Sequence, residues 1–378
     1  MISVKVCSPD TAIAEQWNDL IKRANPNAFM NPVALKAAYD TLFAFVHVLL
    51  AFEHDLEPAR LVGMWALQQR SVMPFWPSML EARPFNYAFL STPVVDPAYV
   101  RDVIPAFFAA IKNDPALPKV VSLKEMDAES PAFGEIRKTL NDEQHGYLTL
   151  TESLRPFVSR EVGLKTSGST RKKLRQDWNR LCALGQVDVI NERTVDGARV
   201  AFEEFLALEL RSWKGAEGTA ILCDDHHAEF TRKLIADLVA DGSASVAVLR
   251  LDGKAIAAQV MMYCGTAAFT WKTAFDADYA KYSPGVLVID KLTEQLFATS
   301  DIQQIDSCAT ESSFMGQLWT GRRAMVDMVA DVGHEPSFVF LMEAGRQLGY
   351  EKLRSLRDRL RGTALVPVRR RLASSSPN

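Results

Sequence analysis

The chain has 378 residues, of which 48% are hydrophobic and 24% are charged, and its formal net charge is −3. This composition is typical of folded domains and excludes a disordered or fibrous chain. The balanced charge argues against nucleic-acid partners, which usually require a strongly basic protein. The length predicts two or three domains.

The first 17 residues, "MISVKVCSPDTAIAEQW", lack the basic start and long apolar centre of a signal peptide. The longest apolar run covers residues 42–52 and is interrupted by His47. A membrane span needs about 20 apolar residues, so this run is too short. Five scattered cysteines without a CxxC pair are typical of reduced thiols. We therefore expect a cytoplasmic protein with no membrane span.

In the first half, the hydrophobic pattern predicts amphipathic helices at 12–23 and 31–42, the second opening with Asn31 as a cap and Pro32 in the first turn. The other elements predicted in this half are, in chain order, strands at 45–52, 60–69 and 85–90, a helix at 98–112, a strand at 119–123, a helix at 131–140 and a strand at 146–151.

The second half begins with a basic helix, "STRKKLRQDWNRLCALG". Asp252-Gly253 predicts a tight hairpin turn, because such a turn needs positive φ. The remaining predicted elements are strands at 186–191, 245–251, 254–263, 267–275, 303–308 and 323–330, helices at 195–212, 225–240, 284–298 and 342–361, and one short helix after 308.

The two halves show the same order of elements, without a residue-level repeat. This order predicts a duplicated mixed α/β unit with a mostly antiparallel sheet flanked by helices. We expect one unit at 1–155, a second at 156–362 and a disordered tail at 363–378, because the tail combines charge with serine and proline.

The segment "WKTAFDADYAKYSPGVLVIDKL" holds the clearest functional pattern. A helix start presents unpaired N–H groups and binds phosphate well where the backbone is uncluttered. Ser283 is a candidate cap, Pro284 suits the first helical turn, and Gly285 permits close approach of a ligand. An ordinary capped helix start is the alternative for this pattern alone.

The order hairpin, strand, turn, helix and strand around this segment resembles the core of the GNAT acyltransferase superfamily. More closely, the chain is similar to CelD/BcsL-type acetyltransferases of cellulose and exopolysaccharide biosynthesis. The shared motifs are Trp213-Lys214-Gly215, Gly218-Thr219-Ala220, Lys272-Thr273-Ala274-Phe275-Asp276 and Tyr282-Ser283-Pro284-Gly285. Phe275 replaces the family's usual tyrosine. The tandem arrangement is similar to FemABX peptidyltransferases.

This resemblance implies transfer of an acyl group, acetyl from acetyl-CoA or another acyl-CoA, to a small-molecule or saccharide amine or hydroxyl, by a monomer or dimer without a metal. The second unit is expected to hold the donor. The first unit has no glycine at its corresponding helix start and is expected to shape the acceptor cleft. The alternatives are a FemABX-like transferase that uses aminoacyl-tRNA, and a non-catalytic accessory protein that kept the fold.

Acyl transfer needs a group that removes the acceptor proton and donors that stabilise the oxyanion. Asp276, at a strand end, is the first candidate base or orienting carboxylate. Lys272 interrupts an apolar alternation and is expected to face the cleft, where it binds an acidic acceptor or holds Asp276. The further catalytic candidates are Tyr282, Tyr279, Asp306 and Glu209.

The expected donor-binding residues are Ser283, Pro284, Gly285, Val286 and Lys281, and the expected acceptor-binding residues are Trp213, Lys214 and Gly215. Lys291, Arg322 and Arg323 are further candidates for phosphate contacts, since arginine and lysine commonly bind phosphate.

Two other clusters have competing interpretations. The basic run Arg171-Lys172-Lys173, with Arg175 and Arg180, is either an anion-binding face or a solvated helix face, and the acidic total favours the second. "CDDHH" at 223–227 lacks a second ligand pair for a metal, and Asp224 or Asp225 is expected to cap the next helix.

Overall fold

The computed structural model of the chain describes residues 1–55, 58–71, 74–333 and 337–364. Thirteen strands within these residues form one sheet. They are β1 (Ile2–Cys7), β2 (Val46–Glu53), β3 (Arg60–Arg70), β4 (Met79–Glu81), β5 (Val94–Val95), β6 (Val120–Asp127), β7 (Gly146–Ser159), β8 (Val187–Glu192), β9 (Ala244–Leu251), β10 (Lys254–Cys264), β11 (Ala267–Phe275), β12 (Gln304–Asp306) and β13 (Gly321–Asp331).

The helices are α1 (Ala14–Leu20), α2 (Pro32–Asp40), α3 (Val100–Asn113), α4 (Pro131–Asp142), α5 (Ser169–Cys182), α6 (Val195–Arg211), α7 (Trp213–Ala216), α8 (Asp225–Ala240), α9 (Pro284–Thr299), α10 (Met315–Leu318) and α11 (Phe338–Ala364). Short 3-10 helices lie at Ala28–Met30, Pro97–Tyr99, Ile221–Cys223 and Ala277–Tyr282. In the described residues, no helix is long and apolar enough to cross a bilayer.

The sheet confirms the predicted mixed, mostly antiparallel α/β fold. Its order is β1-β2-β3-β4-β6-β13-β7-β12-β11-β10-β9-β8, and β5 pairs with β3 beside this path. Two strand pairs are parallel, β4 with β6 and β11 with β12, so each half of the chain contains one. In each pair, a helix lies between the two strands along the chain. This helix is α3 in the first half and α9 in the second.

The two halves exchange strands at the centre of the sheet. β13, from the second half, lies between β6 and β7, with Met325 opposite both Asp127 and Ser153. β7, from the first half, in turn pairs with β12 of the second half, with Phe157 opposite Asp306. The proposed unit boundary after residue 155 therefore falls inside β7, a strand that both halves use, and the division into two units stays a prediction.

One hydrophobic core runs through both halves. It gathers buried side chains of α2, α3, α6 and α8 on one face of the sheet, and the Phe29 and Phe269 rings of the two halves meet edge to face at 5.9 Å. Asn31 also donates to Asp241 across the halves at 3.2 Å. A second core under α5, α9 and α10 covers the opposite face of the second half.

Most predicted elements are confirmed within a few residues, including the Asn31 cap, the Asp252-Gly253 turn and the basic helix α5. The predicted strand at 85–90 is wrong. Its Phe85 side chain is buried in the core, but the Tyr87 carbonyl accepts from the Trp271 indole N–H rather than from a neighbouring strand. The sequence also missed the edge strand β1 and the short strands β4 and β5.

The predicted final helix is confirmed and runs to Ala364, beyond the predicted end at 361. The predicted tail therefore begins as helix at 363–364, and its remainder, 365–378, lies outside the described residues. All five cysteines are free thiols.

Candidate active site

The parallel pair β11–β12 opens into a gap. The two strands pair only where residues 267–269 lie opposite 304–306, after which β12 ends and β11 continues to Phe275. The Thr270 hydroxyl closes the narrow end, because it donates to the Ser307 carbonyl at 2.5 Å. Beyond Thr270, β11 therefore has a neighbouring strand on its β10 side and an opening on the other.

The start of α9 lies at this opening. Asp276 caps the intervening 3-10 helix, and Pro284 occupies the first turn of α9, as predicted. Ser283 has left-handed backbone angles, φ 53° and ψ 46°, which non-glycine residues seldom adopt. The expected Ser283 cap is wrong, because its hydroxyl donates to Asp177 of α5 at 2.9 Å and accepts from Lys173 at 3.0 Å.

Gly285 lets α9 begin close against β11. A Cβ at this position would lie 3.2 Å from the Phe275 ring and 3.5 Å from the Thr273 side chain. Val286 is half-buried beside it, whereas Lys281 is exposed. Any larger residue at 285 must therefore displace Phe275 or narrow the opening.

A bulge in β11 determines where Lys272 points. Lys272 lies opposite Val260 and Thr270 lies opposite Met261, so Trp271 is an extra residue in β11. A bulge of this kind redirects side chains next to active sites. Trp271 packs in the core shared by both halves, and Lys272 reaches Glu209 of α6 at 3.3 Å. The simple alternation of side chains predicted from the sequence does not describe this strand.

Glu209 lies at the centre of a buried charge cluster. Its side chain is 1% exposed, and its Oε1 accepts from Lys214 at 2.9 Å as well as from Lys272. Its Oε2 accepts from the Ile221 backbone N–H at 3.0 Å. Burial opposes ionisation, but Lys272, the Ile221 N–H and Lys214 together hold the pKa of Glu209 below its usual value. Glu209 is therefore a charged, fully engaged carboxylate that orients two lysines.

Lys272, like Glu209, has a shifted pKa. Burial lowers the pKa of its ammonium, and the Glu209 charge offsets part of this effect. Its Nζ lies 4.8 Å from the centre of the Tyr87 ring. A lysine with a lowered pKa can carry a proton at one stage of a reaction and release it at another.

Tyr87 brings the first half of the chain into this cluster. Burial and the charges of Glu209 and Asp224 raise the pKa of its phenol to about 12. The phenol is hydrogen-bonded to His227 Nδ1 at 2.7 Å, and the Tyr87 carbonyl accepts from Trp271 at 2.9 Å. Residues of both halves thus line the lysine cluster.

Asp276 lies outside this cluster. Its Oδ2 accepts from Lys254 at 3.0 Å and its Oδ1 from the Asp278 N–H at 3.1 Å. Burial raises the pKa of Asp276, but these two partners outweigh that effect and hold it below the usual value. The expectation that Lys272 holds Asp276 is wrong, since Lys272 contacts Glu209 and Lys254 contacts Asp276.

The other catalytic candidates lie in two further places. Asp306 is buried at the central seam, where it accepts from Arg323 at 2.7 Å and from the Cys308 N–H at 2.8 Å. Tyr282 is buried in the second core, with the Arg180 and Lys281 cations 5.2 Å and 5.1 Å from its ring. Tyr279 lies under Lys254 at 5.2 Å.

The Trp213-Lys214-Gly215 motif forms a tight turn next to Glu209. Ser212 ends α6 and caps α7, so the motif begins a second helix rather than ending the first. Gly215 is required there, since a Cβ would lie 1.7 Å from the Leu210 carbonyl oxygen. Lys214 joins the cluster, whereas the Trp213 side chain points outward and is 64% exposed.

The remaining phosphate candidates have partners inside the protein. Arg322 pairs with Glu311, Arg323 with Asp306, and Lys291 with Glu294. The "CDDHH" segment opens α8, where Asp224 accepts from the backbone N–H groups of the two residues that follow Asp225. Among the described residues, no three His, Cys, Asp or Glu side chains are grouped to hold a metal.

Sequence reasoning missed the first-half contribution of Tyr87 and the contacts of α5 with α9. Tyr87 lay in a segment predicted as a strand, and Asp177 belonged to a helix interpreted as solvated. Hydrophobic patterns carry no signal for either contact, because each joins residues more than 100 positions apart. The Lys272–Glu209 contact was equally hidden, although both residues were named as candidates.

Residues 168–314 match the family model described as an acetyltransferase (GNAT) domain. This segment contains β11, the gap, the start of α9 and the Glu209 cluster. The fold of this segment is accordingly GNAT-like, and the enzyme class predicted from the sequence, acyltransferase, is confirmed. No curated protein sequence matches the chain.

Solved structures show the same fold at low sequence identity. FemX is 9% identical, and the match covers 86% of this chain and 96% of FemX with a TM-score of 0.58. A conserved protein of unknown function from Bacteroides thetaiotaomicron VPI-5482 is 11% identical, with 88% and 100% covered and a TM-score of 0.55. L-PGS from Bacillus licheniformis is 15% identical, with 90% and 97% covered and a TM-score of 0.52.

Proposed function

We propose that this protein transfers an acyl group, acetyl from acetyl-CoA, to an amine or hydroxyl of a small molecule or saccharide. The observation that supports this proposal best is the start of α9. There Gly285 packs against Phe275 and Thr273 beside the gap between β11 and β12, within the segment that matches an acetyltransferase domain. The absence of a side chain at Gly285 lets α9 begin this close to β11, and a helix start without a side-chain cap suits the pyrophosphate of a coenzyme A donor.

The electrostatic surroundings of this helix start favour an anion. The partial positive charge of the α9 start is joined by the side chains of Lys173, Arg180 and Lys281. Asp177 is the opposing charge, and it is already paired with Lys173 and Arg180. The two phosphates of a donor would therefore meet more cations than anions at this place.

Lys272 is our candidate for the group that accepts the acceptor's proton. Its lowered pKa makes the neutral amine available nearer to neutral pH than for an ordinary lysine. The amine takes the proton as the acceptor nitrogen or oxygen attacks the thioester carbonyl, and the coenzyme A thiolate leaves. Glu209 positions Lys272 and Lys214, and Tyr87 bounds the cluster from the first half.

A saccharide acceptor and a role in exopolysaccharide or cellulose metabolism rest on the resemblance of Trp213-Lys214-Gly215 and Tyr282-Ser283-Pro284-Gly285 to CelD/BcsL-type motifs. Lys214 and Lys272 share one carboxylate, Glu209, which leaves a net positive charge for an acidic acceptor. The five free thiols fit a reducing compartment, so we expect the reaction to take place in the cytoplasm.

A second candidate function is a FemABX-like transfer from aminoacyl-tRNA. One observation favours it, namely the row of cations on α5 beside the start of α9, formed by Lys172, Lys173, Arg175 and Arg180. The likeness to FemX is a likeness of fold. Both candidate functions use the same opening for the donor and differ in the donor's leaving group.

The test is thermal unfolding of the wild type and of Gly285→Glu with acetyl-CoA, longer acyl-CoAs and free coenzyme A. A ligand at 100 times its Kd stabilises a protein by about 2.7 kcal/mol. We expect stabilisation of the wild type and its loss in Gly285→Glu, whose side chain adds both bulk and negative charge. Ala98→Glu is the matched control, because Ala98 is exposed at the corresponding helix start of the first half.

If the wild type gains no stability from any coenzyme A species, the acyl-CoA proposal is wrong, and binding of charged tRNA becomes the next measurement. If Gly285→Glu and Ala98→Glu both remain folded and both respond like the wild type, a coenzyme A ligand binds elsewhere and the assignment to α9 is wrong.

A further inference from the structure

A groove of about 330 Å³ runs between α5 and α9 next to the proposed donor site. Helix α5 contributes Trp178 and Arg175 to its wall, and α9 contributes Leu287 and Lys291. Neither the acyl-transfer step nor the lysine cluster around Glu209 uses these side chains. Six of the nine lining residues are polar or charged, and Leu174, Trp178 and Leu287 form the apolar part of the groove.

Both acidic side chains that line the groove are paired with Arg171. Arg171 donates to both oxygens of Asp290, at 2.5 Å and 2.6 Å, and to Glu294 at 3.0 Å. Arg175 is exposed at the groove, and Lys291 Nζ lies 5.1 Å from the centre of the Trp178 ring. Lys291 also pairs with Glu294 at 2.9 Å, so the groove combines an aromatic face with three cations and two carboxylates, a surplus of one positive charge.

The groove and the start of α9 have helix α5 as a common neighbour. Helix α5 reaches that start through Asp177, which precedes Trp178 in the chain and accepts from the Ser283 hydroxyl at 2.9 Å. Lys173, on the same helix, donates to Ser283 as well. A ligand with a phosphate at the start of α9 therefore has the groove beside it for a planar ring and a further phosphate.

We propose that this groove binds the adenosine nucleotide of the acyl donor. The adenine ring stacks on Trp178, and Arg175 and Lys291 bind the nucleotide's phosphate. The proposal rests on the proposed function only in placing the donor's other phosphates at the start of α9. Coenzyme A and the 3′ end of aminoacyl-tRNA both carry an adenosine nucleotide, so the same chemistry serves either source.

The binding test uses adenosine 3′,5′-bisphosphate, measured by calorimetry on the full chain. Because stacking on an aromatic side chain contributes strongly to base binding, Trp178→Ala should raise the Kd about 10-fold or more, and Trp178→Phe about 3-fold or less. Lys291→Ala should weaken binding as well. Phe45→Ala, which removes another exposed ring, should leave the Kd unchanged. The phenylalanine and Lys291 variants keep the test decisive if Trp178→Ala fails to fold.

The kinetic test compares acetyl-CoA with acetyl-pantetheine, which lacks the nucleotide. In Trp178→Ala, the KM for acetyl-CoA should rise by the same factor as the Kd while kcat is kept, and the rate with acetyl-pantetheine should not change. Equal losses with both donors would overturn the groove assignment, because they would show a general structural defect.

The outcomes separate the groove proposal from the proposed function. If acetyl-CoA is a donor but the Trp178 and Lys291 variants bind the bisphosphate like the wild type, the groove proposal fails alone. If neither thioester is a donor but a charged tRNA minihelix binds and depends on Trp178, the groove proposal holds and the acetyl-CoA donor is wrong. If the wild type binds none of these adenosine ligands, the groove proposal is overturned.

Discussion

The two halves differ in how the helix between the two strands of each parallel pair is capped. These helix starts are Asp96-Pro97 in the first half and Ser283-Pro284 in the second. In the first half, Asp96 accepts from the Ala98 N–H at 3.1 Å and from Arg23 at 2.5 Å. In the second half, the Ser283 hydroxyl is turned away to α5 and does not cap the helix, and Gly285 packs closely against Phe275. A built-in carboxylate caps the first helix start, whereas the second has no side-chain cap, and it is there that we propose an anion binds.

The charge clusters near the two parallel pairs differ in their cations. In the first half, Glu81 of β4 is buried and paired with both Arg70 and Arg83. In the second half, Lys272 of β11 and Lys214 share the single carboxylate of Glu209. Each cluster thus places two cations on one carboxylate, but only the second contains lysines, and burial lowers the pKa of one of them, Lys272. Because an arginine does not lose its proton in a protein, only the second cluster has a cation that can act as a base.

Among the substitutions that test this comparison, Lys272→Ala should have the largest effect. Because loss of a general base typically lowers rates about 10² to 10⁴-fold, we expect kcat/KM for acyl transfer to fall within that range. Arg83→Ala is the control in the first half and should reduce stability without lowering kcat/KM. A Lys272→Ala enzyme with the wild-type rate would show that Lys272 removes no proton in the reaction.

Asp96→Ala tests the first-half helix start, which is capped by Asp96. It removes a cap and leaves part of the Arg23 charge unmatched, so we expect the free energy of unfolding to fall by about 3 kcal/mol. Ser283→Ala should lower it by only about 1 to 2 kcal/mol, since two hydrogen bonds of the hydroxyl are lost while Asp177 and Lys173 still pair with each other. Urea denaturation of both variants measures the difference. Equal losses in the free energy of unfolding would mean that the two helix starts depend equally on their side-chain partners.

Glu209→Gln tests the role of the lysine cluster through the pH dependence of kcat/KM. The Glu209 charge favours the ammonium form of Lys272, so its removal should lower the pKa of Lys272 further. Because activity rises as Lys272 loses its proton, the rising limb of kcat/KM against pH should move to lower pH. A limb that stays in place, with the variant folded, would exclude Lys272 as the titrating group.

Phe275→Tyr should have the smallest effect. Phe275 is 40% exposed and packs against Gly285, so a hydroxyl reaches solvent without displacing the helix start. We expect stability to change by less than about 0.5 kcal/mol and the rate by less than about threefold. A gain of 10-fold or more in kcat would show that the tyrosine usual in this motif supplies a proton that the present chain lacks.

The sequence predicted the helices and long strands well because their side chains repeat with the period of the element they form. The helices α6 and α8 and the hairpin β9–β10 are examples. The segment 85–90 failed because its apolar side chains fill the core while its backbone serves as a loop. Short pieces such as β4 and β5 contain too few residues for a period to be visible.

The candidate site was predictable in its motifs but not in its pairings. Gly285 and Lys272 were found from a short stretch of chain, whereas the partner of Lys272 depends on a bulge that adds Trp271 to the strand. Asp276 ranked first from its position at a strand end, although Lys254 already holds it. Which carboxylate meets which lysine depends on long-range packing, and no local pattern encodes it.

The exchange of β7 and β13 has a consequence for how the molecule forms. β13 must insert between two strands of the first half, and its Met325 meets Asp127 from a point roughly 200 residues earlier in the chain. Contacts of such long range slow folding. During synthesis, β6 and β7 therefore lack their shared neighbour until β13 has been made, and a chain cut between the two halves would leave both strands without it.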